Sequence, residues 1–295
     1  MSKRIGLLAN TQKPRASEMA RKIIAWGKRE GLKFLLPPNE ASILGLPGLS
    51  DDEWRSEVDF AIVIGGDGTF LRASRYVMNW DIPLFGINVG NLGFLASGDP
   101  ENATRDIQMI LDEKHSIEER HVLEGQVIRR GSVRYTMFAL NDLVLTKGAI
   151  ARVIHVEVRI KGQYLTKLPA DGMIVATPTG STAYSLSAGG PIVPPHVPCF
   201  VLCPICAHTL YARPVIFSDN DRLSLIPEGD HRDLVLTQDG QLSYEILPSD
   251  RIDIRLSSEK KVKLIMLPSR SYYELLQEKL QWGQGIVSPG QPYRE

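Results

Sequence analysis

The chain has 295 residues, and its 34 Lys and Arg balance its 34 Asp and Glu to a formal net charge of zero. That balance gives no support to a nucleic-acid-binding or anionic-membrane protein, and a 43% hydrophobic content suffices for one large core or two ordinary ones. Three cysteines, all between positions 199 and 206, are too few and too close for a disulfide framework, and no apolar stretch approaches a membrane span. The expectation is a soluble cytoplasmic protein with no nucleic-acid and no membrane partner.

In chain order, residues 4–10 read as a strand, 15–30 as a helix and 33–36 as a second strand, followed by a Pro/Gly-punctuated loop over 37–48. Residues 60–64 and 83–87 are continuous apolar runs of the kind found in buried parallel strands, and 102–111 reads as a helix. After about residue 116 the pattern becomes strands separated by turns. Candidates are 122–129, 135–146, 153–160, 164–168, 173–176, 223–226, 234–236, 252–255 and 262–266. Arg130-Gly131, Lys161-Gly162 and Asp239-Gly240 supply hairpin chemistry. Glu259-Lys260-Lys261 reads as an exposed turn between two strands, and 272–282 as a final amphipathic helix before a Gly/Pro-rich tail. The expected fold is an α/β N-terminal domain over 1–115, with a Rossmann-like parallel sheet. An all-β, β-sandwich-like C-terminal domain follows over 116–269, with 270–295 packing back on the first domain.

The run Ile62-Val63-Ile64-Gly65-Gly66-Asp67-Gly68-Thr69-Phe70-Leu71-Arg72 places a carboxylate in a glycine-rich turn between a strand and a helix. Such a turn can aim backbone N–H groups at a phosphate, or simply cap a helix through Asp67 or Thr69. No Walker-type G-x-x-x-x-G-K-[ST] occurs, and no G-x-G-x-x-G follows a strand. An acid beside a phosphate can hold Mg²⁺ or accept a proton from an attacking hydroxyl; both point to phosphoryl transfer. A carboxylate is a weak base at neutral pH, so its part is to orient the hydroxyl and take the proton late.

A second constellation lies at 169–191. The strand 173–176 enters the turn Thr177-Pro178-Thr179-Gly180-Ser181-Thr182, and a short small-residue helix ends at Gly189-Gly190-Pro191. Hydroxyls and N–H groups there suit a phosphate or ribose, and Tyr184 can pack on a base; a well-capped helix in a β domain is the plainer alternative.

Taken together, the ordered motifs GGDGTFL (65–71), INVGNLGFLA (87–96), LND (140–142), ADG (170–172), TPTGSTAYSLSAGGPI (177–192), PICAHTLYARP (204–214) and DGQ (239–241) resemble the NAD kinase family over nearly the whole chain. GGDGT alone is shared with lipid kinases and phosphofructokinases; TPTGSTAY and GNLGF are the specific segments. The resemblance implies phosphorylation of the adenosine ribose 2′-hydroxyl of NAD by ATP or polyphosphate with Mg²⁺, giving NADP, by a homodimer or homotetramer. It implies that Asp67 activates the hydroxyl and that Gly65, Gly66, Gly68, Thr69 and Arg72 face the nucleotide or phosphates. Asn141 and Asp142 match an Asn-acid pair that binds the dinucleotide, with Asp142 in place of the commoner Glu. Asp171, Thr182, Ala183, Tyr184, Ser185, Leu186 and Ser187 match the rest of the binding segment, with Phe94 and Gln241 at the pocket wall. Two such segments in the β domain, with the catalytic loop in the α/β domain, imply an interdomain cleft. The family often carries a basic residue just before ADG, where this chain has Leu168-Pro169-Ala170; Lys167 or Arg152 is the expected substitute.

Cys199, Cys203, Cys206 and His208 have metal-like spacing, but the run is strongly apolar and lacks the second ligand pair of a zinc site, so the reading is packing and no protein-held metal. The six histidines are scattered without an HExxH, and Ser185 and Ser187 sit in no G-x-S-x-G elbow.

Overall fold

The computed structural model describes residues 3–90, 93–96, 98–148, 153–229, 233–268 and 271–282. The chain forms two compact units: Met1–Ala73, Ile82–Glu118 and Leu264–Glu295 make the first, and Ser74–Asp81 and Glu119–Lys263 the second.

The chain enters through β1 (Ile5–Ala9), α1 (Pro14–Arg29), β2 (Phe34–Leu35), α2 (Pro38–Leu44), α3 (Asp51–Glu57), β3 (Phe60–Gly65), α4 (Asp67–Val77), β4 (Leu84–Asn88) and α5 (Ala103–Leu111). The strands are parallel in the order β2-β1-β3-β4. Every residue of β1, β3 and β4 is buried, which is why these segments are continuous apolar runs without alternation. Helix α1 starts on Pro14, whose missing N–H is no loss in a first turn, and turns Ala16, Ala20 and Ile23 into the core shared with β1 and β3. Helix α3 is opened by a capping box between Ser50 and Glu53 and buries Trp54, whose indole N–H donates to the Leu35 carbonyl at 2.8 Å.

The expectation of a loop over 37–48 is wrong. Pro38 stands at the first helical position of α2, where proline is well suited, and Gly45 closes the helix in the left-handed conformation.

There follow β5 (Ser116–Arg129), β6 (Ser132–Ala139), β7 (Asp142–Lys147), β8 (Ile154–Ile160), β9 (Gln163–Ala170), β10 (Gly172–Ala176), α6 (Tyr184–Ser187), β11 (Cys199–Ile205), β12 (Val215–Ser218), β13 (Leu223–Glu228), β14 (Leu234–Gln238), β15 (Leu242–Ile246), β16 (Arg251–Met266) and α7 (Tyr272–Leu280). In the second unit one antiparallel sheet runs β12-β11-β10-β7-β14-β15. A second joins β16, β13, β8 and β9, with β5 beside β16 and β6. Side chains from both sheets, among them Leu123, Leu145, Val156, Val175, Phe200, Leu225, Leu236 and Ile254, make one sandwich core. The first unit is completed by α7 and by the last residues of β16, where Leu264 pairs in parallel with Leu84.

Two strand expectations need correction. The run 135–146 is two strands, broken at Leu140-Asn141, and β6 and β7 lie in different sheets. The segment Glu259-Lys260-Lys261 is no turn, because β16 continues through it. Its lysines are partnered there: the Lys261 ammonium lies 2.6 Å from Glu119, and that of Lys260 sits 4.1 Å from the Phe138 ring centre. Strands β10 and β11 are buried on both faces because residues after the TPTGST turn cover Ile174, Ala176 and Cys203. Cys203 is fully buried there, and its thiol donates to the Ala188 carbonyl. No helix among the described residues is long and apolar enough to cross a membrane.

Candidate functional site

In the first unit, β3 delivers the chain to Gly65 and Gly66, and α4 begins on Asp67. The turn is closed by the Thr69 and Phe70 N–H groups, which donate to the Gly66 carbonyl at 2.9 and 3.1 Å. Thr69 is buried against Gly65, Gly66 has open space at its Cβ position, and Gly68 is exposed. The Asp67 carboxylate accepts three backbone N–H groups from a single loop: Phe94 at 2.9 Å on Oδ2, and Leu95 at 3.1 Å and Ala96 at 3.4 Å on Oδ1. These bonds fix the direction of the carboxylate. Close approach of loop and acid requires Gly93, since a Cβ there would stand 1.9 Å from Asp67 Oδ1.

Arg72 is held sideways. Its guanidinium donates to the Ala9 carbonyl and to the Glu40 carboxylate, each at 2.9 Å, and Glu40 also accepts the Ala9 N–H at 3.4 Å. Phe94 packs near the Tyr272 ring of α7 at 6.4 Å between centroids, with the Lys279 ammonium 5.4 Å from the Phe94 ring centre.

In the second unit, Asn141 and Asp142 sit at the break between β6 and β7. Asp239, in the β14–β15 hairpin, accepts the N–H of Leu140 at 3.2 Å, of Asn141 at 2.7 Å and of Asp142 at 3.2 Å. From the other side the Thr177 hydroxyl donates to the Leu140 carbonyl at 2.6 Å, and the Thr177 N–H to that of Asn141 at 2.9 Å. The TPTGST turn lies so close that a Cβ on Gly180 would be 2.0 Å from the Asn141 carbonyl oxygen. The two segments singled out in the sequence as candidates for dinucleotide binding are thus packed on one another. Buried polar atoms without a partner among the described residues cluster in them: Asn141 Oδ1, Thr179 Oγ1 and Ser185 Oγ.

Burial, with the Asp239 carboxylate beside it, pushes Asp142 up to about 7. Burial also raises Asp239, against the lowering effect of its three N–H donors and of Arg75. Arg75 reaches the same hairpin and donates to Gln241 Oε1 at 3.0 Å. Along the second segment, Thr182 donates to the Thr179 carbonyl at 3.3 Å, Ala183 precedes α6, Tyr184 and Ser187 are exposed, Leu186 is half-buried and Ser185 points inward. Asp171 is held by Lys147 at 2.6 Å, with His208 at 3.8 Å, and the Lys147 hydrogen bond keeps its carboxyl below the usual range. Lys167 is paired with Glu228 instead, and Arg152 lies outside the described residues.

Two family models match the chain: the ATP-NAD kinase N-terminal domain over residues 49–115 and the ATP-NAD kinase C-terminal domain over 140–267. The chain belongs to the NAD kinase family. It is 40% identical to the NAD kinase of Syntrophotalea carbinolica over 284 residues, 96% of this chain and 99% of that one. Among solved structures, an Archaeoglobus fulgidus NAD kinase in complex with ATP matches with a TM-score of 0.73 and 25% identity, over 95% of this chain and 99% of that one. Yeast NADH kinase complexed with NADH matches with a TM-score of 0.90 over 97% of this chain and 90% of that one; at 24% identity it speaks for the fold alone.

Within this NAD kinase fold, sequence reasoning missed Glu40, Lys147 and Asp239. Glu40 was hidden in the supposed loop, and Asp239 entered as hairpin chemistry and as the first residue of the DGQ motif, without a role of its own. A signal was available for Asp239: a type I′ turn needs no carboxylate, and Asn-Gly serves as well.

Proposed function

We propose that the chain transfers the terminal phosphoryl group of ATP to the 2′-hydroxyl of the adenosine ribose of NAD, giving NADP. The observation that carries this reading is the 40% identity to an NAD kinase along 96% of the chain. The geometry supports the roles of particular residues. Asp67, fixed by three N–H groups, accepts a hydrogen bond from the ribose hydroxyl on its remaining lone pair and takes the proton late in the transfer. Gly66, with open space at its Cβ position, and exposed Gly68 admit the donor phosphates. Asn141, with an uncommitted amide oxygen, hydrogen-bonds the dinucleotide together with Asp142, while Tyr184 and Ser187 offer a ring and a hydroxyl from α6.

The donor enters as its magnesium complex. Mg²⁺ usually keeps several waters and is bound through substrate phosphates with one or two protein carboxylates. Asp67 is the carboxylate of the donor loop. When bound, Mg²⁺ neutralises charge on the phosphates. Polyphosphate as alternative donor, a homodimer or homotetramer and a cytoplasmic location complete the reading.

The test incubates purified protein with NAD, ATP and Mg²⁺ and detects product with an NADP-specific dehydrogenase, which also establishes the 2′ position. NADP accumulates if the proposal holds. Turnover of a lipid or sugar with none of NAD refutes it.

A further inference from the structure

We propose that Asp239 is a positioning residue for the dinucleotide, a carboxylate clamp that fixes the backbone of residues 140–142 and thereby presents the Asn141 side chain to the ligand. The proposal rests on the NAD reading above for the identity of the ligand, and on geometry for the clamp.

Leu140 and Asn141 belong to neither β6 nor β7, and Asp142 only opens β7 opposite Ala176, so the backbone groups of this segment need other partners. All six have one. Asp239 takes the N–H groups of Leu140, Asn141 and Asp142, at 3.2, 2.7 and 3.2 Å. Thr177 satisfies the Leu140 and Asn141 carbonyls, and the Asp239 N–H donates to the Asp142 carbonyl at 2.9 Å. The neighbouring Gln238 side chain donates to the Phe138 carbonyl at 2.6 Å. With its backbone wholly engaged, Asn141 has a buried Oδ1 with no partner among the described residues.

A hairpin-tip aspartate is ordinarily solvated and replaceable. This one is 7% exposed and held at φ +50°, in the left-handed region. Three donors converge on two oxygens, which an acceptor-only carboxylate satisfies and a carboxamide does not, since its NH₂ must oppose one N–H. Asparagine keeps the turn conformation and loses one acceptor; alanine loses all of them.

The experiment compares Asp239→Asn and Asp239→Ala with wild type in steady-state kinetics for NAD and ATP, and in amide hydrogen exchange of the peptide spanning 140–142. Loss of a hydrogen bond to a charged acceptor corresponds to about a tenfold effect, so KM for NAD rises about tenfold in Asp239→Asn. The KM for ATP and kcat stay within about twofold, as for lost uniform binding, and the 140–142 amides exchange faster. Asp250→Asn is the control for a buried carboxylate of purely structural role: it lowers Tm and leaves KM for NAD unchanged. A wild-type KM for NAD in Asp239→Asn, equal rises for NAD and ATP, or unchanged exchange at 140–142 overturns the proposal. Wild-type protein inert toward NAD refutes the functional reading instead, and the exchange result then decides the clamp by itself.

Discussion

Gly93→Ala is the sharpest perturbation of the loop that holds Asp67. An added Cβ would lie 1.9 Å from Asp67 Oδ1, 2.5 Å from Cγ and 2.8 Å from Oδ2, whereas real Cβ contacts stay beyond 3.0 Å. Either the carboxylate or the loop has to retreat by about 1 Å. The N–H bonds to Asp67 are 2.9, 3.1 and 3.4 Å long, so such a retreat breaks at least one and leaves another marginal. Each charge-assisted bond of this kind contributes about 1.5–3 kcal/mol, and a displacement of about 1 Å at a reacting group lowers turnover about 100-fold. In the NADP-forming assay, Gly93→Ala is expected to lower kcat about 100-fold while KM for NAD changes by less than about threefold. Gly66→Ala is the companion: its added methyl meets no protein atom within 4 Å, so the fold is kept and KM for ATP rises where the phosphates need that space. A Gly93→Ala enzyme with kcat within a factor of about three of wild type would refute the assignment of the 93–96 loop as the support of the catalytic carboxylate.

Asp142 makes stability depend on pH. Its folded value is raised to about 7, so the native state holds the proton longer than the unfolded chain does. The protein is therefore expected to lose stability as pH rises from the ordinary aspartate range through about 7. Asp142→Asn removes that loss. In urea titrations its gain over wild type should be near zero at pH 4 and at most about 4 kcal/mol at pH 8; a pH-independent difference would contradict this. Asp67→Asn keeps an acceptor for the loop but no base, so turnover should fall by at least about 100-fold with NAD binding by calorimetry largely retained. Asp250→Ala breaks an ion pair with Arg129 whose carboxylate side chain is 2% exposed, and leaves the Leu247 N–H unmatched. A loss of about 3 kcal/mol in urea denaturation is expected, and a loss below about 1 kcal/mol would count against the pair.

The legible parts of the fold are those in which local pattern and burial coincide. Strands β1, β3 and β4 announce themselves because both faces are covered, and the β5–β6 and β8–β9 hairpins because Arg130-Gly131 and Lys161-Gly162 take positive φ at both turn positions. What stayed hidden depends on distant residues. Ala139-Leu140-Asn141-Asp142 reads as uninterrupted strand, and the break is made by Asp239 and Thr177, far along the chain. Glu259-Lys260-Lys261 looks like a solvated turn until Glu119 and Phe138 are known to receive its lysines. For the site, motif order pointed to Asp67 and Asn141 as individual side chains. It could not show that each is set in place by a separate chain segment, since backbone N–H donors carry no residue-type signature.

Strand β4 takes its outer neighbour from Leu264, so the parallel sheet lacks a member until almost all of the chain has been made. A nascent β4 leaves the ribosome with the N–H and C=O groups of one edge unpaired, and the whole second unit must be translated before the covering strand exists. At ordinary elongation rates that interval is on the order of ten to thirty seconds. An uncovered edge of this kind templates pairing with other chains. The yield of folded protein therefore hinges on how quickly the end of β16 arrives, and a chain stopped before Leu264 should accumulate as aggregate, not as a soluble half.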